Sequence, residues 1–591
     1  MCGIFAIIGN TTRSEQELAQ LTCKCTEKLR HRGPDEFTTE VYGGGWAAFG
    51  FARLAINDPA HGHQPMRNDL STVFAITNGE IYNHEEIRRD ALGNRPLHSH
   101  SDCEVIIPLY EKLLGENAEQ ATSRTGPALV ERLLLPAKTL YDMLRGVFAS
   151  VLVDLERGVY VAARDPVGVR GMFVGASADG AVWIASEAKA LVEHCDRVEA
   201  FKPGTLIVGV RGQERATAFT FEPWYVPRFL ADDSWTPTAP ANLQLLHDAF
   251  VVAVRRRLMA DVPVGVFISG GLDSSLVAAV AKRYLAPDYV FHSFACGLAG
   301  SPDLAAARRV AEFLKTEHHE LIFTVEEGIA ALDRVIYHLE TYDVTTVRAS
   351  TPMYLLSKLV KQYVKVILSG EGADEVLGGY LYFHNAPSAA EFQRETVRRL
   401  RLLYTADVLR GDRSTAAHCL ELRVPFLDRD YLDVAMTIDP QEKMCVPGKR
   451  MEKWIMRAAF DEHLGPARTR YLPDDILWRQ KEQFSDGVGY NWIDGLKAFC
   501  DSHVSDDELH NAAARFTYDP PTTKEAYYYR MIFEKHYGSY PSAQSLRSCV
   551  HKWIPLWSES TDPSGRAQRV HLANARQENH LKAPQKQERA N

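Results

Sequence analysis

The hydrophobic pattern of this chain changes character once, across a proline-bearing stretch at residues 212–242. That change limits what the chain can fold into. Before it, CGIFAIIG, WAAFGFARLAI, TVFAITNGEIYN, GVFASVLVD, GVYVAARD and AVWIASE are short apolar runs punctuated by Gly, Asn and Asp, the pattern of many short strands. Two helical stretches interrupt them. SEQELAQLTCKCTEKLR opens on Ser14 with Glu17 three residues on, a capping-box spacing, and DCEVIIPLYEKLL is the second. From Leu243 onward, long helices alternate with the buried runs VGVFISG, YVFHSFACG, HHELIFTV and VKVILSG, which calls for a parallel, doubly wound sheet. The stretch between carries Pro223, Pro227, Pro237 and Pro240 and reads as a linker.

A chain of 591 residues exceeds what one core organises. The expected division is an α+β domain over 2–211, a linker over 212–242, an α/β domain over 243–557 and a mobile polar tail over 558–591. A net charge of −9 with no long basic run gives nucleic acid or an anionic membrane no compositional support. No apolar run is long enough to span a bilayer, and MCGIFAIIGN lacks the basic segment of a secretory leader. The ten cysteines show no repeated zinc spacing, so a cytoplasmic enzyme with reduced thiols is expected.

Cys2 follows Met1 directly, and removal of the methionine would expose a terminal cysteine. Such a residue holds a nucleophile and a base together, because its α-amine has a pKa of about 7.7–8.0. Position alone leaves open a small buried hydrophobe. HRGPDE (His31–Glu36), ARLAI (Ala52–Ile56), NGEIYN (Asn78–Asn83) and SDCE (Ser101–Glu104) follow in order. With Cys2-Gly3-Ile4 they resemble the glutaminase domain of the N-terminal-nucleophile amidotransferases, whose fold is an αββα sandwich. The resemblance implies that Arg53 binds the α-carboxylate of glutamine, that Asp102 and Glu80 bind its α-amine, and that the Asn78 side chain and Gly79 N–H form an oxyanion hole. A guanidinium fork suits a carboxylate, and a carboxylate suits an ammonium.

The second constellation is VGVFISGGLDSSLVAAVAKRYL (Val264–Leu285), an apolar strand running through glycines into a helix. Glycines let a backbone approach phosphates, and serine hydroxyls with helix N-terminal amides donate to anionic oxygens. The Walker pattern is absent. Ser269, Gly270, Gly271, Asp273, Ser274 and Ser275 resemble the pyrophosphate loop of the ATP-pyrophosphatases, which adenylate a carboxylate and release pyrophosphate. A later strand ends in SGEGADE (Ser369–Glu375). The resemblance implies that Ser369 and Gly370 touch ATP, that Glu371 sits beside the reacting acyl group, and that Asp273 and Asp374 hold Mg²⁺.

SPDLAAARRVAEFL, ETYDVTTVRASTPMYL, ELRVPFLD and QKEQFSDGVGYNWID extend the resemblance to asparagine synthetases of the bacterial glutamine-using type. PGKRMEKWIMR offers Lys449 and Lys453, of which Lys453 matches the lysine that steadies the adenylate. Arg348 is a candidate for an aspartate carboxylate, with an interdomain salt bridge as the alternative. The adenine pocket falls near Val266–Ile268, including Phe267, and Phe294–Gly297, including Cys296. The resemblance implies ATP, L-aspartate, L-glutamine and ammonia as small-molecule partners, Mg²⁺, and a homodimer. An amidotransferase acting on another carboxylate, and a silent binding protein, are the rival readings. Residues 116–138 look longer than the family pattern and are expected to form a surface elaboration.

Overall fold

The computed structural model describes residues 1–10, 12–118, 127–212, 219–446, 449–481, 487–489 and 491–558. Parts of the expected linker, of the 116–138 segment and of the QKEQFSDGVGYNWID stretch, and nearly all of the expected tail, therefore lie outside the described residues.

The chain before residue 224 builds two six-stranded antiparallel sheets. One sheet runs, in spatial order, Arg197–Ala200, Phe173–Ala176, Val182–Ala185, Gly3–Ile8, Ala47–Arg53 and Glu36–Tyr42. The other runs Glu222–Pro223, Thr205–Val210, Val159–Arg164, Gly146–Asp154, Val73–Ile81 and Met66–Arg67. Ile4, Phe49, Phe51, Ile76 and Val151 fill a shared core between the two sheets, as alternation in half-buried strands demands. The Glu15–Glu27 helix starts where the capping box placed it, with Ser14 accepting from the Glu17 N–H. The 102–118 segment begins as a 3₁₀ turn at Asp102–Val105 before the Ile106–Ala118 helix.

The five-stranded sheet of the second half is wholly parallel, ordered Glu317–Ile322, His292–Gly297, Val264–Phe267, Val366–Leu368 and Glu421–Arg423. The fold class read from the hydrophobic pattern is the one observed. Helices Leu272–Tyr284, Pro302–Leu314 and Val344–Val360 supply crossovers. The order reverses between Val264–Phe267 and its two neighbours, and such a switch point opens a crevice at the strands' carboxyl ends.

Two stretches differ from the sequence reading. Glu222–Pro223 pairs with Thr205–Leu206 as an edge strand, and Trp224 and Tyr225 are buried just after it. Part of the expected linker is thus sheet and core, because its aromatics outweigh its prolines. Pro127–Met143 is a 17-residue helix burying Leu129, Leu133, Leu140 and Tyr141, so that half of the expected surface elaboration is packed. All ten cysteines are free. Among the described residues no helix is long and apolar enough to cross a membrane.

Two candidate active sites

Cys2 sits at the start of the Gly3–Ile8 strand, half-buried, its Sγ 3.8 Å from the Leu54 carbonyl. Glycine is required next to it, since a Cβ on Gly3 would lie 2.7 Å from the Leu29 Cβ. Burial pushes the Cys2 thiol up. Arg32, from the HRGPDE turn, fixes the strand's entry by donating from Nε to the Cys2 carbonyl at 3.0 Å. Its Nη1 reaches Glu187 at 2.6 Å and Asp412, in the second half of the chain, at 2.9 Å.

The neighbouring strands and turns bring the other candidates together. Arg53 is buried and anchored by the Asp58 carbonyl at 2.6 Å and the Pro59 carbonyl at 3.2 Å, with Glu36 at 3.3 Å. Asn78 is 0% exposed, and neither its Oδ1 nor its Nδ2 has a hydrogen-bond partner. A fully buried, unsatisfied amide costs about 1–3 kcal/mol and calls for an explanation. Gly79 presses on the adjacent strand so closely that a Cβ would lie 2.0 Å from the Val147 carbonyl oxygen.

Asp102 accepts from the Ile81 N–H at 2.6 Å and from Asn57 Nδ2 at 3.1 Å, and Asn57 donates also to Glu80. Asn57 was not singled out in the sequence; it lies four residues past Arg53 in a turn without a distinctive pattern. Burial, reinforced by the Glu421 and Asp102 carboxylates, holds the Glu80 carboxyl well above its ordinary range. Burial raises Asp102 as well. Two buried acids bridged by a neutral amide, with Arg423 3.4 Å from Glu80, favour positive charge beside them.

In the second site the loop after Val264–Phe267 turns at Gly270, with φ +70, beneath Ala306. A Cβ there would lie 2.3 Å from the Ala306 Cβ. Ser274 Oγ accepts from the Ser269 N–H at 3.1 Å, closing the loop over the start of Leu272–Tyr284. Ser275 Oγ and Asp273 Oδ1 are buried without hydrogen-bond partners. Gly370 packs against the same loop, where a Cβ would meet the Ser274 nitrogen at 2.6 Å. Phe267, Ser269, Cys296, Ser369, Glu371 and Asp374 line one cavity with Lys453.

Lys453 stands between the two candidate metal acids, its Nζ 2.5 Å from Asp273 Oδ2 and 2.5 Å from Asp374 Oδ1. Lys481 takes the other Asp374 oxygen at 2.8 Å. Burial acts to raise Asp374, but Lys453 and Lys481 overcome it and hold the carboxyl at about 2. Lys449, by contrast, is exposed and outside the cavity. Lys453 heads its helix in a left-handed conformation, φ 57. Glu371 pairs with Arg410 at 2.5 Å, and Arg410 with Asp407 at 2.8 Å. Burial raises the Glu371 carboxyl against the pull of Arg410, and Asp407 adds to burial. Lys481, Arg410 and Asp407 escaped the sequence reading. Lys481 was visible inside QKEQFSDG, whereas Arg410 and Asp407 sit on a helix with no signature.

Arg348 is placed elsewhere. Its guanidinium forks onto Glu525, Nε to Oε1 at 2.8 Å and Nη2 to Oε2 at 2.6 Å, and it does not line the cavity. Its guanidinium is thus engaged in a buried ion pair with a residue of the same half of the chain. Cys296 is buried, its Sγ 3.7 Å from the Pro352 carbonyl, and burial raises its thiol.

The family described as "Glutamine amidotransferase domain" matches residues 1–125 and 128–209, and the family "Asparagine synthase" matches residues 245–392 and 386–559. The chain belongs to the asparagine synthetase family. It is 46% identical to "Asparagine synthetase [glutamine-hydrolyzing]" of Asparagus officinalis, over 96% of this chain and 92% of that protein. To "Asparagine synthetase [glutamine-hydrolyzing] 2" of Arabidopsis thaliana it is 46% identical, over 97% and 96%. The Zea mays relative is 45% identical, over 96% and 93%. Both sites of this family member therefore lie inside the matched segments.

Arg423 links them. Its carbonyl accepts from the Ser369 N–H at 2.9 Å, its Nε donates to Glu421 at 2.7 Å, and its Nη2 lies 3.4 Å from Glu80.

Proposed function

We propose that this chain makes L-asparagine from L-aspartate, ATP and glutamine-derived ammonia, releasing AMP, pyrophosphate and L-glutamate. The observation that carries this reading is the presence in one chain of a buried, unpartnered Asn78 amide in the Cys2 domain together with a cavity where Asp273, Asp374 and Lys453 meet. Family membership supports it across nearly the whole length.

With Met1 removed, the Cys2 α-amine takes the thiol proton and the thiolate attacks the glutamine amide carbon. Arg53 holds the α-carboxylate, while Glu80 and Asp102 hold the α-ammonium, the cation their burial calls for. The Asn78 amide and the Gly79 N–H donate to the oxyanion, a contribution on the order of 3 kcal/mol for a single donor. Ammonia leaves, and water releases glutamate from the thioester.

In the second site the Ser269–Ser275 loop and Ser369–Gly370 cradle the phosphates, and Phe267 and Cys296 border the base. Two carboxylates in the first turns of the helices that follow two neighbouring strands, one with an unpartnered oxygen, are the hard oxygen donors that Mg²⁺ takes alongside phosphates, so Asp273 and Asp374 fit that ion. An Mg²⁺ ion held there would offset phosphate charge. The β-carboxylate of aspartate attacks the α-phosphorus, giving β-aspartyl-AMP and pyrophosphate. Glu371, raised by burial, takes a proton as ammonia attacks the acyl carbon, and Lys453 offsets the developing charge. The ammonia path between sites must exclude water, because ammonium cannot attack. Free ammonia serves as an alternative nitrogen source, and a cytoplasmic homodimer is the working form.

The test supplies Mg-ATP and aspartate with either glutamine or ammonium chloride and follows pyrophosphate, AMP and asparagine. Wild type makes asparagine with both, and Cys2→Ala loses only the glutamine-driven reaction. Folded, processed protein that makes no asparagine from either nitrogen source would sink the proposal.

A further inference from the structure

At the open edge of the parallel sheet, outside both sites, His292 Nδ1 lies 3.0 Å from His319 Nε2. Glu317 Oε1 lies 3.7 Å from the first nitrogen and 3.6 Å from the second. The strand register explains the meeting. His292 is opposite Glu317 and Phe294 is opposite His319, so residues 317 and 319 share one face while His318 turns to the other and meets Ser293 Oγ at 2.9 Å. Aromatic rings fix both imidazoles: Phe294 stacks on His319 at 5.0 Å, and Tyr363 lies 4.0 Å from His319 and 5.4 Å from His292.

Hydrogen bonding does not account for this triangle. A carboxylate oxygen beyond 3.5 Å accepts from neither ring, so only the contact between rings is a hydrogen bond. A tetrahedral ion with bonds of about 2.0–2.2 Å separates its donor atoms by about 3.3–3.5 Å, and the sides of the triangle straddle that length. Two imidazole nitrogens and one carboxylate make a donor set for a borderline divalent transition metal, unlike the oxygen donors that suit magnesium. We propose that His292, His319 and Glu317 form a binding site for a divalent ion of the zinc class, with a fourth position open to water beside the half-exposed Glu317.

Burial and the neighbouring His292 hold His319 below the ordinary imidazole value, against Glu317. Two other groupings of comparable residues lack this character. His31, Glu187 and His338 lie among Lys189, Arg32 and Arg413, whose charges already satisfy Glu187 and repel a cation. In the group of His384, Cys445 and Glu452, one Glu452 oxygen is taken by Arg457 at 3.0 Å and the Lys481 N–H at 2.8 Å, and burial pushes the Cys445 thiol up to about 12. An ion on His292 and His319 would clamp the edge strand to the strand carrying Phe294, which lines the nucleotide cavity.

The experiment is equilibrium dialysis of the full chain against Zn²⁺, and separately Co²⁺, with excess Mg²⁺ holding any oxygen-lined site. Wild type takes up one ion per chain at micromolar concentration, and the Co²⁺ form shows visible d–d absorption. His292→Asn and His319→Asn each weaken binding by more than about tenfold, whereas His384→Asn leaves it unchanged. Circular dichroism checks that the variants are folded. Glu317→Gln, at an exposed position, reports independently: it weakens binding and alters the Co²⁺ spectrum. The proposal falls if wild type binds no ion at micromolar concentration, if the His292→Asn/His319→Asn double variant keeps full stoichiometry, if Glu317→Gln binds and absorbs as wild type does, or if His384→Asn abolishes uptake.

Discussion

The two sites handle buried acid in opposite ways. In the first, Glu80 and Asp102 share the neutral amide of Asn57, and burial leaves both carboxyls raised. In the second, Asp273 and Asp374 already hold Lys453, and Lys481 completes the pairing of Asp374. Burial acts on Glu80, Asp102 and Asp374 alike; what differs is how fully the protein's own cations offset it, since Glu80 has Arg423 at 3.4 Å, an arginine held more closely by Glu421 at 2.7 Å, whereas Asp374 has lysines at 2.5 and 2.8 Å. On the function proposed above, the first arrangement leaves room for a cation carried by its ligand, and the second, balanced beforehand, has to rearrange its pairs when a metal nucleotide enters.

The sharpest way to break this comparison is Lys453→Met. It leaves Asp273 and Asp374 facing each other without their shared cation, and asparagine formation from either nitrogen source should fall by on the order of a thousandfold. Glutamine hydrolysis should continue, and loss of both activities in folded protein would mean the sites are not separable. Next comes Asn78→Ala. Its kcat for glutamine hydrolysis should drop on the order of a hundredfold, while thermal unfolding shows no loss, because the amide makes no hydrogen bond in the protein. A clear loss of stability instead would make that amide structural.

Asn57→Ala removes the bridge between Glu80 and Asp102, an effect of about 1–3 kcal/mol. It should appear as roughly a tenfold rise in KM for glutamine with ATP–pyrophosphate exchange untouched. The smallest effect is a difference in pH limbs. On the proposed function glutamine needs Glu80 and Asp102 ionised, and both are raised, so the acid limb of kcat/KM for glutamine should lie at higher pH than that of aspartate-dependent ATP–pyrophosphate exchange. Asp374 has the opposite sign. Its folded value, about 2, lies below the ordinary 3.8, so it stabilises the fold above the ordinary value and loses that contribution as pH falls from about 4 to about 2. Asp374→Asn should flatten acid unfolding across that window.

Much of this was legible in the sequence, and the failures share a cause. The Ser269–Ser275 loop and Ser369–Asp374 could be located because chain-local glycines and a preceding apolar run mark a strand end. The Glu421–Arg423 strand was missed, since three residues with charged ends carry no period. The ion pair of Arg348 is invisible in the sequence because its partner, Glu525, lies 177 positions away. No local pattern announces that partner. Lys453 is the lysine that the sequence favours over Lys449, and the structure separates the two: the Lys453 Nζ lies 2.5 Å from Asp273 and from Asp374, whereas Lys449 is exposed.

The lysine pairing in the cavity that Lys453 lines has a kinetic consequence. With Asp273 and Asp374 matched by Lys453 and Lys481, and Glu371 by Arg410, the mouth of that cavity projects little net field into the surrounding electrolyte. Anionic substrates arriving by diffusion are neither drawn in nor turned away at long range. Capture then rests on short-range fit, and its bimolecular rate should change little as ionic strength shortens the screening length.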